Sequence, residues 1–101
     1  MTEPLVFEGP EGSITVTAAA LTELVAVAAR SVEGVRVRRP RRAVDVRHGD
    51  GRASVSLELV APHRDSLAEL AHAVQERVGR AFAAVSGLEI ERVDVEIAEI
   101  A

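Results

Sequence analysis

The sequence predicts an α+β fold: a two-layer sandwich of order β-α-β-β-β-α-β, in which two helices cover one face of a mostly antiparallel sheet. Two segments place their apolar residues three and four positions apart, which is typical of helices with one buried side. The other segments alternate apolar and polar residues, as strands with one buried face do. The chain has 101 residues, which suits one domain. We expect a flexible lead-in over residues 1–11 and a single domain over residues 12–101.

The first strand and the first helix follow the lead-in, whose proline, glycine and glutamate residues favour irregular backbone. Ile14 and Val16 alternate with polar residues and predict a short strand. Thr17 can accept a hydrogen bond from a first-turn amide and so begin a helix. The apolar spacing extends this helix from about residue 18 to about residue 32, and Gly34 favours its end there.

The middle of the chain predicts three strands. Valine alternates with arginine over residues 35–38, and the alternation resumes over residues 44–46, after the break Arg39-Pro40-Arg41-Arg42. Asp50-Gly51 predicts a tight hairpin turn, because both residues tolerate a positive φ. Every second residue over 53–59 is apolar, which is the clearest strand pattern in the sequence.

The second helix and the last strand complete the fold. Pro62 ends the third of the middle strands, and Ser66 with Glu69 forms a capping box. Apolar residues then repeat at helical spacing until Gly87, a second glycine cap. The last strand changes parity at Glu91-Arg92, which predicts a β-bulge that absorbs one residue.

These patterns also predict which side chains are buried. The expected core comprises Leu24, Ala28, Val55, Leu57, Leu70, Val74, Val78, Phe82 and Val95. The residues expected at the surface include Arg39, Arg41, Arg42, Glu69 and Glu76. The face of the sheet that the helices leave uncovered should carry Arg36, Arg38, Asp45, Arg47, Ser54, Ser56 and Glu58.

The composition excludes several function classes. Without cysteine, the chain has no thiolate nucleophile, disulfide or cysteine zinc site. With two phenylalanines as its only aromatic residues, it has no stacking surface for sugars or single-stranded nucleic acid. His72 with Glu76 and Glu69 would make only a weak metal clasp, because no third histidine follows. We therefore expect no enzyme activity, no cofactor and no small-molecule substrate.

Arginine is concentrated in one segment. Residues 36–47 hold six arginines and one aspartate, a net charge of +5, so the rest of a chain with net charge −4 carries −9. The segment is either a solvated hairpin tip or a contact for nucleic acid, an anionic membrane surface or an acidic protein. The acidic remainder of the chain disfavours a polyanion. Nucleic-acid binding by the Arg36–Arg47 hairpin therefore stays the alternative.

The last strand offers an acidic partner for this segment. Two unlike patches on one chain make a head-to-tail contact, which builds rings or filaments of a homo-oligomer. The candidate interaction residues are Arg36, Arg38, Arg39, Arg41, Arg42 and Arg47 on one patch, and Glu89, Glu91, Asp94, Glu96 and Glu99 on the other.

Several stretches together resemble the alkaline shock protein family of bacterial envelope-stress proteins. They are Gly12–Val16, the Ala-rich helix that ends Val32-Glu33-Gly34-Val35, Val74-Gln75 with Val78 and Phe82, Ser86–Ile90, and Val93–Ile97. The chain departs from the family at Ala61-Pro62-His63, where a Tyr-Gly pair is common, and at Asp94, where Asn is usual. The resemblance implies a non-enzymatic protein of cell-envelope homeostasis that self-associates. It implies an integral-membrane partner that holds the protein near the membrane, and no catalytic or cofactor residues.

The sequence also indicates a location. The first residues are acidic, whereas a secretory signal begins with positive charge. The longest apolar run, residues 24–29, is far shorter than the roughly 20 residues that span a bilayer. We expect a soluble, cytoplasmic chain that meets the inner face of the membrane only through a partner.

Overall fold

The computed structural model describes residues 2–64 and 66–101 and confirms the α+β class. These residues form three helices and five strands. The strands make one two-stranded and one three-stranded sheet. The elements in chain order are β1 (Leu5–Gly9), β2 (Gly12–Val16), α1 (Ala18–Arg30), α2 (Pro40–Ala43), β3 (Val44–Gly49), β4 (Arg52–Ala61), α3 (Leu67–Ser86) and β5 (Glu89–Ile100).

The three-stranded sheet has the order β3-β4-β5. β3 and β4 are antiparallel and joined by Asp50 and Gly51, whose φ angles of 53° and 76° confirm the predicted tight turn. β5 runs parallel to β4, because the long helix α3 carries the chain back before β5 begins. The strand pairings are thus mostly antiparallel, and the pair formed by the last strand is the exception.

The predicted bulge in the last strand is confirmed. Ala53 pairs with Ile90 and Ser54 with Arg92, so Glu91 is the extra residue. A second shift follows Leu59, where Ala98 is the extra residue. The bulge at Glu91 keeps Ile90 and Val93 packed against the core on both sides of the parity change, whereas Ile100, beyond the second bulge, is 51% exposed.

The lead-in differs from the prediction, because most of it has regular structure. β1 pairs with β2 as an antiparallel hairpin, closed at Gly9 and Gly12. Leu5 is buried in the domain core, where it anchors the hairpin. The strand predicted at Ile14 and Val16 is β2, but it pairs only with β1 and lies outside the three-stranded sheet.

The arginine-rich segment is not a hairpin. In place of the strand predicted over residues 35–38, Arg36 alone exchanges backbone hydrogen bonds with Val60, at 3.0 and 2.8 Å. This bridge and β3 both lie along the edge of β4 opposite β5, and both are antiparallel to β4. Between them Arg39 adopts φ 48°, and Pro40 begins the single turn of α2. Proline suits the first position of a helix but donates no hydrogen bond to a ladder, so the strand breaks here.

Helices α1 and α3 pack on each other and on β3 and β5, over one face of the sheet. Seven of the nine residues predicted for the core are buried, and Phe82 is completely so. Leu24 and Val95 are only partly buried against the core, and Val95 lies on the edge strand β5. The charged residues predicted at the surface are all exposed.

The caps predicted at Thr17, Ser66 and Gly87 are present, whereas α1 ends at Arg30 with Ser31 as its C-cap and not at Gly34. The hydroxyl of Thr17 accepts from the Ala20 N–H at 3.2 Å, and that of Ser66 accepts from the Glu69 N–H at 3.2 Å. Gly87 ends α3 with φ 70°. Across residues 2–64 and 66–101, no helix is both long enough and apolar enough to span a membrane.

Candidate interaction surfaces

The face of the sheet away from α1 and α3 is polar, and we call it the open face. The strand register places predicted outward residues in two rows across the three strands. One row is Arg47, Ser54 and Arg92, and the next is Asp45, Ser56 and Asp94. Glu58 follows on β4, beside Glu96 on β5.

Ion pairs within the chain occupy several of the candidate residues. Arg47 contacts Asp45 at 3.1 Å and Arg92 contacts Asp94 at 2.9 Å, both along one strand. The hydrogen bond that Arg92 donates to Asp94 also raises the pKa of Arg92 above its ordinary value. Because these pairs are largely exposed, water screens them and each adds little to the stability of the fold. Asp94, predicted to meet an arginine of another copy, thus already meets one of its own.

Arg38 also has an intrachain partner. Its guanidinium contacts both carboxylate oxygens of Glu99, at 2.7 and 3.3 Å. Arg36 and Glu99 lie on opposite sides of Val60 in the register. The Arg38 side chain must therefore cross β4 to reach Glu99, and Val60 below it is only 5% exposed. Arg38 and Glu99 close one end of the open face.

Of the four other arginines of the segment, Arg36 lies in the bridge to Val60 and the remaining three form an exposed turn. Arg39, Arg41 and Arg42 are exposed, and they make no ion pair within the described residues. We call these three residues the arginine turn. The turn interrupts the edge on the β3 side, so it lies across the sheet from β5.

The two edges of the sheet differ in what covers them. On the β3 side, the Val46 N–H donates to the Thr2 hydroxyl at 3.0 Å. His48 Nε2 lies 3.2 and 3.1 Å from the carbonyl oxygens of Glu3 and Pro4. Residues 2–4 thus run along the edge of β3 and obstruct it.

On the other side, β5 pairs only with β4 among the described strands. Its outer edge is covered at one point, where the Gln75 side chain donates to the Val93 carbonyl at 3.0 Å. In the sequence, Gln75 stands out only as part of the Val74-Gln75 motif. Its role becomes visible once α3 is placed beside β5. The edge of β5 is therefore the open edge of this sheet.

Arg52 and Arg92 also form ion pairs within the chain, although neither was among the candidate interaction residues. Arg52 lies 3.6 Å from Glu91, and Arg92 pairs with Asp94 as described above. The i, i+2 spacing of Arg92 and Asp94 on a predicted strand was the signal available for the second pair. Glu89 and Glu96 make no ion pair within the described part of the chain.

The residues weighed for chemistry do not converge. His72 Nδ1 lies 3.2 Å from the Gln75 amide oxygen, whereas Glu76 pairs with Arg80. Over residues 2–64 and 66–101, no three His, Asp or Glu side chains are grouped as metal ligands. What the structure arranges instead is an open strand edge, a charged sheet face and a basic turn.

Comparison with the models of known protein families gives no match, and neither curated proteins nor solved structures match the chain at a significant level. The fold and its surfaces define a small α+β domain with an open sheet edge. These surfaces are the features of the chain that bear on its function.

Proposed function

We propose that this chain is a non-enzymatic interaction module that self-associates head to tail, with the arginine turn of one copy beside the β5 edge of the next. The observation that carries the proposal is the open edge of β5, a strand of 12 residues. Following the family resemblance, we place this assembly in cell-envelope homeostasis under stress. It is held near the cytoplasmic membrane by an integral-membrane partner.

An open edge is a binding surface because its backbone N–H and C=O groups can pair with another strand. The charge of β5 selects the partner. Its carboxylates outnumber its single arginine, so two β5 strands side by side would repel each other. A basic segment suits this edge better, and the arginine turn is the basic surface that the chain itself supplies.

The positions of the two surfaces determine the kind of assembly. The arginine turn and β5 lie at opposite edges of the sheet, so a contact between them leaves one of each surface free on every complex. Such a contact repeats into rings or filaments. Within the described residues Glu89 and Glu96 make no ion pair, so they are the carboxylates most available to the incoming arginines.

Sedimentation velocity at low and high salt tests the contact. The variant Arg39→Glu/Arg41→Glu/Arg42→Glu should lose the large species that the wild type forms at low salt. A control with the same charge change at Arg30, Arg64 and Arg80, outside the sheet, should keep them. High salt should weaken the wild-type assembly without abolishing it, because exposed ion pairs steer the contact while apolar residues at the edge hold it. Identical size distributions for the wild type and the arginine-turn variant would contradict the proposal.

The same variant addresses the nucleic-acid alternative. The observation that favours it is that the three guanidinium groups of the arginine turn are exposed and make no ion pair in the described part of the chain. Random oligonucleotides should bind the wild type only weakly near physiological salt. Micromolar affinity with a steep salt dependence, lost in the arginine-turn variant, would instead make the chain a nucleic-acid-binding domain.

The membrane partner needs a separate test. An integral-membrane protein that co-purifies with the chain from native membranes should, after reconstitution, recruit the chain to vesicles. Binding to protein-free anionic vesicles of the same lipid would show direct lipid contact instead, and would refute the need for an anchoring protein.

A further inference from the structure

The open face carries an ordered charge pattern. Val46, Val55 and Val93 pair across the three strands and form the central row of the sheet. On one side of this row the open face presents two arginines, from β3 and β5, flanking Ser54. On the other side it presents two aspartates flanking Ser56. On β3 and on β5, the arginine on one side of the central row therefore lies as far from that row as the aspartate on the other side.

The pattern continues along β4. Arg52 and Glu58 stand three residues before and three residues after Val55. The open-face residues of β4 therefore follow the order basic, serine, serine, acidic, and two short serines lie at the centre. Reversing the strand direction exchanges each charge with its opposite.

A second copy can be placed on the open face by a twofold axis that runs parallel to the central row. This rotation reverses the strand direction of the second copy relative to the first. Stacked sheets lie about 10 Å apart with strands within about 30° of each other, so long side chains from both copies meet midway. Arg52 then lies over Glu58 of the second copy. Arg92 lies over Asp94 of that copy, and each contact occurs twice.

The intrachain pairs support this arrangement. Arg92–Asp94 of one copy and the same pair of the other would form a ring of alternating charges, and networks of charges contribute more than isolated exposed pairs. A parallel strand pair such as β4–β5 is normally covered on both faces, whereas here only one face is covered. Glu96 is the exception to the complementarity. It pairs with Glu58 in the register, and the mirror position, level with Arg52, is occupied by Glu89. The two glutamates therefore face each other across the contact, each beside an arginine or a glutamate of β4.

We infer that the open face is a docking surface for a second copy of this chain, in a twofold dimer that pairs Arg52 with Glu58 and Arg92 with Asp94 across the contact. This contact uses neither the arginine turn nor the β5 edge, so it adds to the head-to-tail contact of the proposed function and does not depend on it. Three strands make a small interface. We therefore expect a dissociation constant on the order of 10–100 µM.

Mixing two charge-reversal variants tests the register. In the inferred dimer, position 52 of each copy lies against position 58 of the other. Arg52→Glu therefore places two glutamates at this contact, and Glu58→Arg places two arginines there. Each variant alone should dissociate about tenfold or more readily than the wild type, because the twofold axis repeats each repulsive contact. An equimolar mixture should restore dimers, since every Arg52 or Glu58 contact in the mixed dimer joins opposite charges. The double variant Arg52→Glu/Glu58→Arg should also dimerise.

The measurement is sedimentation equilibrium in the arginine-turn variant, which removes the head-to-tail contact, up to several hundred micromolar. Thermal unfolding by circular dichroism confirms that each charge-reversal chain is folded. A mixture that sediments no heavier than its components would overturn the inference, as would a monomeric parent at these concentrations. Either result leaves the head-to-tail contact of the wild type unaffected, so the two proposals fail separately.

Discussion

Phe82 is the largest fully buried side chain, and its truncation tests the assignment of the core. It lies on α3 with 0% exposure. Phe82→Ala removes a ring from packed surroundings and leaves a cavity, which should lower the free energy of unfolding by about 3–5 kcal/mol. A domain of this size has about 5–15 kcal/mol in total, so the variant should retain little stability. Phe82→Leu, which keeps most of the volume, should cost less than about 1.5 kcal/mol and remain folded.

The chain provides a matched control in its only other phenylalanine. Phe7 lies on β1 and is 39% exposed, so Phe7→Ala should cost clearly less than Phe82→Ala, because it loses less buried area and leaves no enclosed cavity. Urea unfolding followed by circular dichroism measures all three variants at one protein concentration. A loss below about 1 kcal/mol for Phe82→Ala, or equal losses at the two phenylalanines, would show that the faces of α3 are assigned wrongly.

Three further tests of local features use the same unfolding assay. Gly34→Ala should cost about 1–3 kcal/mol, because its backbone has φ +85° and the new Cβ would lie 2.8 Å from the proline ring that follows β4; Gly49→Ala, with open space, should be near neutral. Thr17→Ala should cost about 1 kcal/mol through loss of the α1 cap, and an unchanged midpoint would refute that role. A double-mutant cycle on Arg38 and Glu99 should give a coupling of about 0–1 kcal/mol, with Arg38→Ala the more costly single change because its side chain covers β4.

The fold class, helices, caps and first bulge could be predicted because each depends on local pattern. Alternation over β4 and helical spacing over α3 determine which face of each element is apolar. The bulge at Glu91 follows from the same logic, since a parity change must be absorbed if one face stays buried. These features require no knowledge of which strands are neighbours.

The features that the sequence did not reveal depend on long-range pairing. The parallel direction of β5 follows from the α3 crossover, and the strand-helix-strand order was the available signal. β1 was not predicted, because the proline, glycine and glutamate residues around it favour irregular backbone. The burial of Leu5 in the core, which holds this strand in place, is not visible in the local sequence pattern. The arginine segment lost its predicted hairpin because Arg36 pairs with Val60 and not with β3.

The candidate surfaces were predictable as residues but not as partners. The charge arithmetic identified the basic and acidic segments, yet it could not show that Arg38 reaches Glu99 of the same chain. That contact depends on Arg38 crossing β4, which only the register reveals. Within the described residues, the arginines of the basic segment without intrachain ion pairs are Arg36 and the three of the arginine turn.

Amide hydrogen exchange along β5 tests the central claim most directly. In dilute solution the N–H groups on its outer edge should exchange quickly, because no strand among the described residues pairs with that edge. At concentrations where the wild type assembles, these amides should become protected, while the arginine-turn variant should exchange at the dilute rate. Exchange in β5 that is independent of concentration in an assembling wild type would contradict the account, because the next copy would then dock elsewhere.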